Sequence, residues 1–277
     1  MNKKRFDFFK IIKYLILSVF SFLVLYPIYM VTSGSFRKNM QILMDPFGMP
    51  TSLMLDNYVK AFKEGMFSSL YKNSIIVTVF SVALITLFSS MIAYVMTRPD
   101  FKFRRLLNTI FIIGMTIPFQ VGIIPLYLQM NRLRLVDSHL GLIIVYIVSY
   151  LSYSTFITYG FFKQIPRDLQ EAASIDGAGN FRLFLSIVAP LSSAVLTTVT
   201  IFNLMFVWND MFFSLVMLQT PLKKTLQIGL LGFRGQYQSD YATMFAGVVL
   251  VSLPMVALFL ALQKRFVEGV LSGAIKG

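Results

Sequence analysis

The sequence contains no cysteine and a single histidine, His139. The first absence removes disulfides, thiolate metal sites and thiol nucleophiles, and the second removes a histidine-based metal cluster. Charge is also scarce. Asp, Glu, Lys and Arg make up 13% of the residues, about half of the roughly 25% usual in a soluble domain. Acidic residues number 12 against 25 basic ones, a formal net charge of +13. In a soluble domain that balance would suggest nucleic acid. Here the basic residues flank apolar runs, so the excess reads as membrane topology and no nucleic-acid partner is expected. No glycine-rich phosphate loop with its lysine occurs, so ATP hydrolysis by this chain is not expected.

What the sequence has in quantity is apolar side chain. Hydrophobic residues make up 56%, with 28 Phe and 16 Met. A soluble protein of 277 residues could not hide that much apolar surface, so its solvent is lipid, and a multi-pass membrane protein is expected. Six uncharged stretches, 14–36, 73–97, 106–131, 138–162, 183–209 and 241–263, exceed the roughly 20 residues a helix needs to cross the hydrocarbon. Helices satisfy their own backbone groups, as lipid demands. The expected fold is therefore all-α with six transmembrane helices, in a single domain over 1–277. The basic start MNKKRFDFFK looks like a signal peptide, but the apolar stretch after it is too long and lacks a clean small-residue cleavage site. It reads as an uncleaved first span.

Six spans place both termini on one side. Lys3, Lys4, Arg5, Lys10 and Lys13 lie at the N-terminus, and Arg98, Lys102, Arg104 and Arg105 in the second connection. Lys163, Arg167 and Arg182 lie in the fourth, and Lys264, Arg265 and Lys276 in the tail. The other connections carry fewer basic residues over a longer length, so the positive-inside rule puts both termini in the cytoplasm. Segments 37–72 and 218–240 then face outward. Span three carries Pro118 and Pro125 in TIPFQVGIIP. Each removes an intrahelical hydrogen bond and bends the helix, a feature of transporters and of inert bundles alike. Span six carries Gly247 and Pro254, and a glycine there permits close helix packing.

One stretch is too polar for lipid and too regular for a random loop: DLQEAASIDGAGN at 168–180. Pro166 suits a helix start, Asp168 and Glu171 suit its positive end, and Gln170, Glu171, Ala172 and Ala173 are strong helix formers. Gly177 and Gly179 then stop the helix where positive φ is cheap. A second helix starts near Phe181. The result is a helix–turn–helix on the inner surface. An interfacial helix resting on headgroups usually carries Lys or Arg and bulky anchors on opposite faces. This one is acidic-to-neutral and alanine-rich, with Glu171 and Asp176 as polar handles, which favours docking on a protein.

These residues resemble the EAA loop of the inner-membrane permease subunits of ABC importers. Glu171, Ala172 and Ala173 match its opening, Gly177 its glycine, and Ile187 and Pro190 its ending, with Ala189 in place of the usual Leu. The longer pattern IPRDLQEAASIDGAGNFRLFLSIVAPL, FVWNDMFFSL at 206–215, TLQIGLLGFRGQY and the tail QKRFVEGVLSGAIKG are similar to the carbohydrate-importer branch. Within it they resemble the shorter, six-span subunit of the maltose-type pairs. Asp168 stands where that branch usually has Glu. The resemblance covers essentially the whole chain and implies the type I importer permease fold in a bacterial or archaeal cytoplasmic membrane.

It also implies partners: a second permease subunit in a heterodimer, two ATPase subunits that use ATP and Mg, and an external sugar-binding protein. This chain would bind no cofactor and catalyse nothing. The loop 163–182 would be the coupling element, with Pro166, Asp168, Glu171, Ala172, Ala173, Asp176 and Gly177 seated on an ATPase. The cytoplasmic tail 264–277, with Glu268, Gly269, Gly273, Lys276 and Gly277, would reach between the ATPases. The implied function is import of a sugar or oligosaccharide. An ABC importer of a polyamine or phosphate shares the EAA signal but usually lacks this ending. A secondary transporter would need an ion-coupling site, and no buried acidic pair is visible in the sequence.

Trp208, Asn209 and Asp210 close span five, either as an aromatic belt with an interhelical hydrogen bond or as lining of an outer cavity or a binding-protein contact. His139 reads as a polar tip at an interface. Phe119 and Tyr127 could stack on a sugar, although aromatics at helical spacing more often pack, and no substrate site is assigned from the sequence.

Overall fold

Every regular element among the described residues is helical. The computed structural model describes residues 8–175, 177–233 and 240–274. Four helices are long and apolar enough to cross a membrane unbroken: α1 (Phe8–Gly34), α4 (Phe67–Thr97), α7 (His139–Phe162) and α14 (Tyr241–Ala274). Two further apolar pairs of helices are each bent sharply, as in a broken span or a re-entrant loop. The chain is thus a multi-pass membrane protein with up to six spans, as its uncharged stretches predict. Its surface agrees: along α1, Phe20, Phe22, Leu23 and Leu25 are all exposed, an arrangement that water penalises and lipid does not.

The first bent pair joins α5 (Arg104–Thr116) to a 3-10 turn (Phe119–Gly122) and α6 (Ile123–Arg132) at 87°. Its cause is local. Ile117 precedes Pro118, and a residue before proline is driven from the helical region into the extended one. Ile117 takes φ −81 and ψ 117, and the helix stops there. Pro125 makes no second bend. It lies in the first turn of α6, where no intrahelical bond to its nitrogen is lost.

The second break was not anticipated from the sequence. Span five divides into Asn180–Leu191 and α11 (Ser193–Asn209) at 81°. The first part holds α9 (Asn180–Leu183), a π turn (Phe184–Val188) and α10 (Ala189–Leu191). Pro190 has no N–H to donate to the preceding turn. The ladder widens ahead of it, with the Ala189 N–H reaching back to the Phe184 carbonyl. Ser192, at φ −102 and ψ 15, makes the corner. Pro254, by contrast, lies inside α14 without interrupting it.

The chain forms two units: Met1–Phe67 with Leu230–Pro254, and Ser68–Gly229 with Met255–Gly277. In the first, α2 (Asn39–Met44) and α3 (Asp56–Glu64) give regular structure to part of segment 37–72. The Asn57 amide donates to the Ser35 and Arg37 carbonyls at 2.8 Å each. Asp240 caps α14 by accepting from the Thr243 N–H and hydroxyl, and it accepts from Lys60 Nζ at 2.7 Å. Burial pushes the Asp240 carboxyl up, but the Lys60 and Thr243 bonds outweigh it and hold the group below its ordinary range.

In the second unit α7 and α11 carry a buried polar seam. Ser154 and Asn203, both fully buried, bond side chain to side chain at 2.8 Å, the kind of contact that holds helices together in lipid. The loop after α11 continues through α12 (Phe212–Met217), a 3-10 turn (Pro221–Lys223) and α13 (Leu226–Gly229). Asp137, with φ 56, clasps this loop. Its carboxylate accepts from the Gln219 and Thr220 N–H groups at 2.9 Å, the Thr220 hydroxyl at 2.6 Å and Lys223 Nζ at 2.9 Å. The Thr220 hydroxyl and N–H, Lys223 and the Gln219 N–H hold the Asp137 carboxyl well below the usual carboxylate range.

Candidate functional site

The polar stretch folds as the sequence predicts: α8 (Arg167–Ile175), a turn, then α9 from Asn180. Pro166 immediately precedes the first helical residue, and Asp168 lies in the first turn, where the helix dipole favours a carboxylate. The end of α8 is a Schellman motif. The Ala178 N–H donates to the Ala173 carbonyl at 3.0 Å and the Gly177 N–H to the Ser174 carbonyl at 3.1 Å. Gly177 supplies the left-handed residue the motif needs, at φ +81. A Cβ placed on Gly177 would touch nothing, so the demand for glycine is conformational and not a matter of space.

The faces of α8 divide cleanly. Ala173 and, across the turn, Ala178 pack against a core of Tyr94, Phe162, Leu183, Phe184, Val188 and Val195. Asp168, Glu171, Ala172 and Ile175 are exposed, and the spacing i, i+3, i+4, i+7 puts them on one face. Ile175 is 87% exposed at the end of the helix, and Leu169 is a second exposed apolar side chain on it. Of the two alanines in the motif, Ala172 belongs to the free face and Ala173 to the seat. Asp176 lies outside the described residues.

The sequence reading missed what ties α8 to the bundle. Arg98, at the end of α4, donates to the Gln170 side-chain oxygen at 3.3 Å while its guanidinium lies 5.7 Å from the centre of the Tyr94 ring. That ring meets Phe184 at 5.5 Å. No sequence signal links Arg98 to Gln170, which lies 72 positions away.

The remaining candidates fall elsewhere. Trp208 is buried, and its carbonyl accepts from the Gln227 amide at 3.1 Å. Asn209 donates back to the Met205 carbonyl at 2.9 Å. Asp210 accepts from the Tyr146 hydroxyl at 2.8 Å and from the Phe213 and Ser214 N–H groups, so it joins α7 to the start of α12. His139 meets the Lys223 carbonyl at 2.9 Å. In the tail, the backbone at Glu268, Gly269 and Gly273 continues α14, while Lys276 and Gly277 lie outside the described residues. No group of three or more metal-ligating residues occurs among the described residues.

An exposed helix–turn–helix tethered to an apolar bundle of broken spans has clear relatives. Residues 85–271 match the family model described as "Binding-protein-dependent transport system inner membrane component". This chain belongs to that family. The inner-membrane component is 31% identical over 270 residues to the diacetylchitobiose uptake system permease protein NgcG of Streptomyces coelicolor, covering 97% of this chain and 89% of the other. It is 31% identical over 280 residues to the arabinooligosaccharides transport system permease protein AraQ of Bacillus subtilis, covering 100% and 99%. The fold is shared with a bacterial ABC transporter involved in the import of the acidic polysaccharide alginate. The TM-score there is 0.84 at 24% identity, over 96% of this chain and 99% of that one. Membership makes this inner-membrane component a transport subunit, not an enzyme, and coupling to a separate ATPase accompanies that role.

Proposed function

We propose that the chain is one of two unlike membrane subunits of an ATP-driven importer for a sugar or oligosaccharide. It would form half of the translocation path and receive its drive through residues 163–182. Sugar-uptake names among close relatives support the substrate class. A second permease, two ATPase subunits and an external sugar-binding protein complete the assembly, and ATP and Mg are used by the ATPases. The distribution of basic residues supports a cytoplasmic location for both termini and the α8 loop.

The observation that carries the coupling role is the free face of α8. Its inner side is seated on the bundle core through Ala173 and Ala178, so a push on the outer side moves that core. Its outer side offers two carboxylates beside the exposed Ile175. Such a face fits a groove with an apolar pocket and a basic rim. Asp168, Glu171 and Ala172 make the contact, Pro166 and Gly177 set the ends of the element, and Asp176 adds charge at its tip. In the tail, Glu268, Gly269, Gly273, Lys276 and Gly277 reach the ATPases as a second contact.

The test uses the assembled complex. Glu171→Lys and Ile175→Asp should leave membrane yield intact while cutting co-purification of the ATPase and ATP-driven sugar uptake in proteoliposomes. Full uptake with normal complex yield in both variants would overturn the coupling role. External labelling of residues 168–180 in intact cells would overturn the orientation.

A further inference from the structure

The break at Ile117–Pro118 leaves a cavity of about 360 Å³ between the end of α5, the middle of α7 and α11. Backbone that leaves the helical ladder at membrane depth is tolerated where protein covers it or where it lines water. The chemistry of the wall chooses between these. Four aromatic rings line the cavity: Phe119, Tyr150, Tyr153 and Phe206. Tyr150 stacks on Phe206 at 5.4 Å and 15°, and Phe119 stands edge-on to Tyr150 at 6.2 Å and 78°. Five hydroxyls line it as well, from Thr116, Ser149, Ser152, Tyr150 and Tyr153.

The last four of these have no hydrogen-bond partner among the described residues, while Thr116 donates to the Ile112 carbonyl. Several neighbours do, although Thr155 of α7 is buried without a partner. Thr116, Thr158, Thr198 and Thr200 each bond back to the carbonyl four residues earlier, the usual recourse of a hydroxyl on a helix in lipid. Tyr146, one turn before Tyr150, bonds Asp210 and Ser214. Ser149, Ser152, Tyr150 and Tyr153 are half-buried around one cavity and left with unmet capacity. An acyl chain could not meet it, and desolvating them without partners is costly.

We infer that this cavity is a sugar subsite on the translocation path, selective for a neutral glycan. The inference rests on the importer reading above. A pyranose ring offers an apolar C–H face to an aromatic wall and hydroxyls that donate and accept at its rim, which the four protein hydroxyls can match. The volume lies in the range of ligand clefts, about 300–1,000 Å³. Every lining residue is uncharged, so a uronate would bring its carboxylate in against no cation, and burying an unpaired charge is disfavoured. Neutral sugars enter without that cost.

The absence of cysteine makes the test clean. S152C and S149C each put a single thiol in this chain of the complete importer, reconstituted in vesicles with its binding protein. Labelling of this chain by a trimethylammonium methanethiosulfonate is followed with N,N′-diacetylchitobiose, arabinotriose or digalacturonate. The expected result is labelling in the absence of sugar, slowed by whichever neutral oligosaccharide the vesicles take up and unchanged by digalacturonate. Y150F removes a hydroxyl that holds nothing in this chain. It should raise the KM for uptake about tenfold, the weight of one lost hydrogen bond, with complex yield and binding-protein affinity unchanged. Sugar uptake with both thiols unreactive means that the partner permease or lipid covers the wall, and the subsite fails. Labelling indifferent to the transported sugar also overturns it, and protection by digalacturonate overturns the selectivity. Uptake of a non-sugar solute and of no sugar would sink the importer reading itself.

Discussion

Gly177 offers a sharp test of how the coupling element works. It sits at φ +81 at the end of α8, where its N–H and that of Ala178 close the last carbonyls of the helix. A methyl group there would meet no atom within 4 Å, so Gly177→Ala adds no clash. What it adds is the cost of holding an L-residue in the left-handed region, about 1–2 kcal/mol. That is roughly a five- to thirty-fold shift in the equilibrium between the formed and the opened turn. Of the turn only Ala178 packs on the core, which is otherwise built from residues outside it, so membrane insertion and thermal stability of the purified subunit should change little. An ATPase that needs the turn formed should bind more weakly by that same factor, measurable by titrating ATPase onto vesicles. Gly177→Asn is the control, because asparagine adopts this backbone region more readily and should recover part of the loss. Equal, undiminished binding for both variants would refute the reasoning. So would equal loss, which would mean that the ATPase reads the absence of a side chain and not the turn.

Three further outcomes follow from the geometry. Arg98→Ala should free the Gln170 end of α8, raise hydrogen exchange of Ala172–Ile175 and reduce coupled uptake, while Arg98→Lys, which cannot reproduce the planar fork over Tyr94, restores only part. In D137N the clasp on Gln219, Thr220 and Lys223 should weaken by roughly 1–3 kcal/mol, read as faster exchange at the Gln219 and Thr220 amides. In the wild type the folded Asp137 carboxyl titrates below its unfolded value, so the clasp contributes in full above about pH 4 and loses that contribution as pH falls through the folded value. Protection at those amides should therefore be flat from pH 7 to about pH 5. Gly141→Ala should be severe, because the new Cβ falls onto the Leu135 carbonyl, a backbone atom that cannot rotate away. A loss of about 1–3 kcal/mol or more is expected by thermal unfolding in detergent.

Much of this was legible because lipid imposes simple rules. Six uncharged stretches, the bend at Pro118, the glycine that ends α8 and the start of a second helix near Phe181 are all properties of a local window. The unseen features are relations across distance or consequences of backbone widening. Nothing near Asp137 advertises that it will gather Gln219, Thr220 and Lys223. The Tyr146–Asp210 bond spans 64 positions, and through it Asp210 alone of the polar triplet Trp208–Asp210 bonds a second helix by its side chain. The 81° corner at Ser192 was hidden inside an uninterrupted apolar run, where Pro190 could be read as a motif residue but not as the cause of a bend. The two alanines of the motif looked equivalent until the core showed which one it seats.

The wide turn at Phe184–Val188 has a consequence of its own. A π turn is an α-helix that carries one residue more than its ladder requires. Removing a residue from an ordinary turn swivels everything beyond it by about 100°, but removing one here would restore plain α-helical spacing on both sides. Between the loop and the corner at Ser192, this is the place where the chain could shorten by a single codon and keep its two ends in register.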